Sequence, residues 1–168
     1  TSNTRVRFST TEPDTFLDLL DGEIESVIVN GEEVEPEYDG SRIQLHGLHT
    51  HRENLVIVTA KLPYQHTGQG LHRFVDPADG KVYLYTHFEA ADSRRMYSVF
   101  EQPDLKAHVD FDVIAPSDWR VASNQVHEDI REEEDGLLHD FALPPRMSTY
   151  LPAIASGPDV RCQDEWPR

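Results

Sequence analysis

Hydrophobic positions recur along this chain with a period of two, the spacing that sends alternate side chains to opposite faces of a β-strand. Val6 and Phe8 alternate with polar neighbours over residues 5–10. Phe16, Leu17 and Leu19 predict a short strand stopped by Asp21-Gly22. Glu23–Val29 runs into Asn30-Gly31, a dipeptide favoured in tight hairpins because both residues tolerate positive φ. Arg42–Leu45 follows the turn pair Asp39-Gly40. Residues 54–62 form a run rich in β-branched side chains, which predicts a strand in the middle of a sheet. Phe74-Val75, an Asp79-Gly80 turn and residues 82–88 predict another hairpin. Residues 108–114 alternate acids with Val109, Phe111 and Val113, and residues 119–123, 137–143 and 149–155 complete the strands. Residues 92–99 offer at most one or two helical turns.

Turn residues punctuate these runs every 8–12 residues or so, the spacing of a sandwich or barrel. The expected fold is therefore all-β, a sandwich of sheets with at most short helical turns. His127 and the acidic run after it, residues 128–135, read as an exposed, solvated hairpin connection. Beyond Gly157 the alternation fades. The expected organisation is a β-domain over residues 1–157, followed at 158–168 by the start of another domain or a ragged tail.

Charge narrows the function classes. Fifteen Lys and Arg stand against 31 Asp and Glu, a net charge of −16. A nucleic-acid binder needs basic surface to displace counterions from phosphates, so that class is excluded, and anionic membranes are disfavoured on the same ground. No apolar run approaches the ~18 residues of a membrane span. Cys162 is the single cysteine and cannot pair within the chain, which favours a reducing compartment and a cytoplasmic expectation. A chain opening on Thr1 rather than Met, without signal-peptide character, reads as a processed or excised fragment.

Metal chemistry has weak candidates. If His49 and His51 lie on a strand they share a face, and His46 is near them in sequence; His66 and His72 make a second histidine spot. A catalytic zinc takes three protein ligands and a water, and a third partner with supporting contacts is not legible around either group. The string from His127 to Arg131 approaches H-E-x-x-H, but Arg131 occupies the place of the second histidine. No G-x-S-x-G elbow and no phosphate loop occur. A small hydrolase built on the histidines is accordingly the weakest reading.

The densest motif is residues 83–107, YLYTHFEAADSRRMYSVFEQPDLKA. Thr86, Phe88, Glu89, Arg94, Arg95, Phe100, Glu101, Pro103, Asp104, Lys106 and Ala107 resemble the signature T-x-F-E-x-x-x-A-R-x-x-F-P-x-F-D-x-P-x-x-K-A. That signature belongs to the amino-terminal domain of aminopeptidase N-type zinc metallopeptidases, in the lineage with actinobacterial enzymes. Departures from it include Ser93 where Ala is usual, Ser98 where Pro or Ala is frequent, and Glu101 for the common Asp. Leu62-Pro63-Tyr64, the Gly68-Gln69-Gly70 turn, Ala115-Pro116, Trp119 and residues 147–151 extend the resemblance over about residues 5–157. The family's proteins are several times longer, and its usual opening strand precedes the strand that begins here near Arg5.

The resemblance implies a twisted, saddle-shaped sandwich of mixed and antiparallel sheets, with zinc and catalysis in a following domain. The family's H-E-x-x-H and G-x-M-E-N strings are absent from this chain, so it implies no cofactor and no catalytic residue here, and a fragment inactive by itself. It assigns Glu89 to the free amino group of a peptide substrate. Spacing alone allows another role for Glu89, an ion pair with Arg94 or Arg95 across the turn. His87, two residues earlier, lines the same cleft in this reading. Arg94, Arg95, Glu101 and Asp104 form a brace that sets the angle of Glu89. Implied partners are a peptide N-terminus and the catalytic domain of the same polypeptide. A sheet edge left open near residues 5–10 also predicts self-association. The rival from another class is a stand-alone β-sandwich interaction module in which the signature serves packing.

Overall fold

The computed structural model describes residues 1–158. Among these residues thirteen strands form, beginning with β1 (Ser2–Phe8), β2 (Thr15–Asp18), β3 (Glu23–Val29), β4 (Glu32–Val34), β5 (Arg42–Leu45) and β6 (Asn54–Lys61). Next come β7 (Gly70–Val75), β8 (Val82–His87), a 3₁₀ turn at Ser93–Arg95, and β9 (Asp112–Ala115). The last are β10 (Arg120–Ser123), β11 (His127–Glu133), β12 (Gly136–Phe141) and β13 (Ile154–Gly157). No helix among the described residues is long and apolar enough to cross a membrane.

Four sheets result, ordered β1-β6-β3-β4, β10-β13-β8-β7, β11-β12-β9 and β2-β5. The fold is all-β and sandwich-like, and every ladder between named strands is antiparallel. The implied mixture of strand directions reduces, among the described residues, to one isolated parallel bridge between Gln65 and His72. Asn30 and Gly31 both take positive φ, 53° and 92°, and close the β3–β4 hairpin with Val29 opposite Glu32. β6 lies between β1 and β3 and buries Val56, Val58 and Ala60 to within 1% of full cover.

Two cores organise the molecule. The first gathers Leu17, Leu19, Val27, Ile43, Leu45, Val56 and Val58 between the β1–β6–β3–β4 sheet and the β2–β5 pair. The second, smaller core contains Ala115, Val121, Phe141 and Ile154. The segment after β8 is packed into both. Phe100 meets Phe8 edge-on with centroids 4.8 Å apart, on the side of the first core. Met96 packs against the second core, and Tyr97 lies edge-on to both Phe88 and Phe111 at 5.8 Å. Asp18 and Val99 exchange backbone hydrogen bonds of 2.8 and 3.0 Å, pinning this segment to β2.

Three strand expectations are corrected. Residues 127–133 are a strand, not a solvated connection. Every side chain of β11 is exposed, so burial gives no alternating signal, and backbone pairing to β12 makes the strand. A strand of this kind, crowded with like charges, is a protected sheet edge. Residues 149–153 are not extended pairing partners, because Asn124 takes their backbone groups. Its amide donates to the Leu151 carbonyl at 3.1 Å and its Oδ1 accepts from the Ala153 N–H at 2.7 Å. The strand resumes at Ile154. Residues 108–111 lie outside β9; Ala107 bridges Met147 and the His108 Nδ1–H donates to the Pro144 carbonyl at 2.8 Å. The expected segment 158–168 and Cys162 lie, apart from Pro158, outside the described residues.

Candidate functional site

The site is built at the end of β8. Its ladder to β7 sets Gly70 opposite His87 and His72 opposite Tyr85, so these four positions share a face. The His72 and Tyr85 rings are 4.8 Å apart. Thr86 points the other way and fastens β8 to β13, its Oγ1 accepting the Ile154 N–H at 2.8 Å. The alternation persists beyond the ladder: His87 is exposed, Phe88 is 2% exposed, and Glu89 is exposed again. The Glu89–Ala90 peptide bond is cis. The Asp92 N–H then returns to the Phe88 carbonyl at 3.0 Å and the chain enters the 3₁₀ turn.

Neither neighbouring arginine is paired with Glu89. Arg95 Nε donates to Asp92 Oδ1 at 2.7 Å, and its Nη1 lies 3.7 Å from Asp21. Arg94 contributes its backbone: the N–H donates to Glu101 Oε2 at 2.9 Å and the carbonyl accepts from Leu20 at 2.8 Å. Among the described residues the Glu89 carboxylate has no hydrogen-bond or ion-pair partner.

Glu101 is anchored by other means than a guanidinium. Its Oε2 also accepts the Ser93 hydroxyl, and its own N–H donates to Asp18 Oδ2 at 3.3 Å. Asp18 is 7% exposed and its second oxygen takes Arg42 Nε at 3.3 Å. Asp104 is exposed in the turn that follows and has no polar partner among the described residues. Of the four expected brace residues, the structure brings Arg94 and Glu101 together through the backbone and commits Arg95 to Asp92 and Asp21. Asp104 stands apart.

Three participants were not legible as such. Ser93, Asp18 and Asp92 carry the hydrogen bonds, and of these Asp92 alone left a trace, its i,i+3 spacing to Arg95. Glu101→Ala removes the acceptor from a buried hydroxyl and a backbone N–H together. The expected cost is about 2–3 kcal/mol, read as a lower urea midpoint, with Glu101→Asp between it and the parent residue. A midpoint unchanged in Glu101→Ala contradicts the brace.

Gly70 lets the 3₁₀ turn approach. Its φ is +59°, and a Cβ built there falls 2.8 Å from the Arg95 Cβ. Gly70→Ala is expected to lose about 1–3 kcal/mol, from backbone strain and from displacing Arg95. Thermal unfolding checks it.

The histidine spots are occupied by other contacts. His46 Nδ1 lies 3.0 Å from Asp14 and Nε2 3.6 Å from Glu37. The Asp14 hydrogen bond first, then Glu37's charge, raise His46 above ordinary histidine. That contribution to stability is fully present below the unfolded value and is lost as pH rises through the folded one. His49 and His51 lie in the irregular stretch between β5 and β6 rather than on a strand, which removes their shared face. His49 Nε2 accepts from Arg52, whose cation repels a metal. His72 Nδ1 accepts the Gly68 N–H at 3.0 Å, and the His66 and His72 ring centres are 6.5 Å apart. Among the described residues no three His, Cys, Asp or Glu side chains form a group that could hold a metal ion.

Known proteins carry the same framework. Aminopeptidase N of Streptomyces lividans is 42% identical over 161 residues, covering 94% of this chain and 18% of that protein. Probable aminopeptidase 1 of Saccharolobus solfataricus is 31% identical over 141 residues, covering 80% of this chain and 17% of that one. The chain thus spans less than a fifth of the length of these relatives. Legionella pneumophila aminopeptidase A, solved in complex with aspartic acid, shares the fold at a TM-score of 0.79 and 18% identity, over 92% of this chain and 19% of that chain. Residues 17–151 match the family model described as Peptidase M1 N-terminal domain. That span runs from within β2 through β12 and includes the whole turn that carries Glu89, and this chain belongs to the Peptidase M1 N-terminal domain family.

Proposed function

We propose that this domain is the substrate-anchoring wall of a longer zinc aminopeptidase, in which the Glu89 carboxylate receives the α-ammonium of a peptide. The observation that carries the reading is the condition of Glu89. It stands exposed two residues beyond a strand paired on both sides, with no polar partner among the described residues, while Arg95 is held by two other carboxylates. A carboxylate left unneutralised beside two arginines is available to an incoming cation. Its value to a ligand rises once the cleft excludes water and the effective dielectric falls. His87, exposed two residues earlier on the same face, lines the approach.

Among the described residues no group of side chains could hold a metal ion, and in this reading the metal and the hydrolytic step belong to a catalytic domain of the same polypeptide. The domain contributes position. An α-amine fixed at Glu89 sets the distance to the first peptide bond, which selects exopeptidase over endopeptidase chemistry.

The test pairs substrate and residue changes in the parent enzyme. A peptide amide and its desamino analogue are compared as ligands of the parent and of Glu89→Gln. The preference for the free amine should shrink by at least tenfold in the variant. An undiminished preference refutes the anchor.

A further inference from the structure

β11 lies on the edge of its sheet with all seven side chains exposed, so little buried surface holds it there. Its register against β12 shifts between His127 and Asp129. A bulge of this kind re-aims the side chain at the shift, and the His127 ring lies over Phe141, centroids 4.4 Å apart, beside His139. His139 is 3% exposed, its Nδ1 is 3.2 Å from His127 Nε2, and its Nε2 is buried without a partner among the described residues.

These contacts fix how many protons the pair can carry. With both rings neutral, His139 Nδ1–H donates to the His127 Nε2 lone pair, and the buried His139 Nε2 is left as an unpaired acceptor. That arrangement costs less than burying an orphaned N–H. One added proton can be kept on His127, which then donates from Nε2 to His139 Nδ1. The His139 proton must then move to Nε2, in the core, where nothing receives it. A second added proton sets two N–H groups against each other across 3.2 Å and places a cation in the core.

We propose that the His127–His139 pair is an acid-sensitive latch, holding β11 on its sheet at neutral pH and releasing it as the buried His139 ring takes up a proton. The charged surroundings fit this sense. Burial first, then His127 and Arg120, hold His139 below ordinary histidine. Arg120 comes from β10; on β11, Glu128 and Asp129 follow His127; on β12 and β9, Asp140 and Asp112 form a facing pair at the position after His139. Asp110 is raised by burial, then by Asp112, Asp140 and Glu128, and works in the opposite sense, gaining stability as pH falls through its folded value. A base lowered on folding contributes stability that is complete above its unfolded value, about 6.5, and declines below it.

Amide hydrogen exchange of β11, corrected for intrinsic rates and referenced to β3 and β6 amides in the same sample, reads the latch. Between pH 6.5 and 5.5 the protection of β11 should fall up to about tenfold, the limit for one proton taken up on opening. His139→Gln should abolish the fall. His127→Gln alters an exposed side chain and leaves His139 buried; it should lessen the fall without abolishing it, and it decides the matter if His139→Gln does not fold. A flat wild-type profile, or the full wild-type fall retained in His127→Gln or in a folded His139→Gln, overturns the proposal.

Discussion

Glu89→Ala in the proposed parent aminopeptidase lowers kcat/KM by about 30- to 1000-fold, the equivalent of roughly 2–4 kcal/mol for a desolvated charge contact. The domain itself should melt unchanged. Glu89 makes no polar contact among the described residues and its side chain is exposed, so its removal opens no cavity and strands no buried donor. Glu89→Gln keeps one acceptor oxygen without the charge and should fall between the two. Kinetics of the parent beside thermal melts of this domain separate an anchor from a strut. A strut predicts a lowered melting temperature with activity lost only in step with it. An unchanged kcat/KM with a destabilised domain sinks the anchor.

The fold was legible where burial alternates, and obscure where it does not. β3 and β6 carry the period-two pattern because one face of each meets the first core, and Asn30-Gly31 declares its hairpin through a backbone geometry that few dipeptides make easy. β11 carries no such pattern, since backbone pairing and a bulge are properties of two strands together. The stretch before β13 departs from its alternation for a related reason: the amide of Asn124, a long way back in the chain, replaces the ladder that the alternation suggests.

At the site, the resemblance located Glu89, while the partners of its neighbours were beyond sequence reasoning. Guanidinium forks to Glu101 and Asp104 were the natural expectation from charge. The structure uses a shorter device. Two of the departures from the family signature, Ser93 and Glu101, meet each other: the added hydroxyl donates to the carboxylate that the longer side chain delivers. Neither departure is informative singly. Their contact explains why Glu101 can hold the 3₁₀ turn while both arginine side chains remain outside its reach.

The largest stability effect is expected one residue before the anchor. Phe88 is 2% exposed and meets Tyr97 edge-on at 5.8 Å, an aromatic contact that continues to Phe111 beside the second core. Tyr97 is buried with it, and burial, followed by the charge of Glu101, pushes its phenol well above the usual tyrosine range. Phe88→Ala removes a whole ring from this stack and leaves a cavity beside Tyr97. The expected loss is about 3–5 kcal/mol, a large part of the 5–15 kcal/mol or so typical of a domain. Phe88→Leu retains most of the volume and should lose about 1–2 kcal/mol. Urea midpoints with unchanged slope measure both. Adjacent residues then give opposite signatures, since Phe88 faces the core and Glu89 the solvent. A loss below about 1 kcal/mol in Phe88→Ala means that the turn carrying Glu89 is not held by the core. The carboxylate would then have no rigid platform from which to fix the distance between a substrate's amine and its first peptide bond.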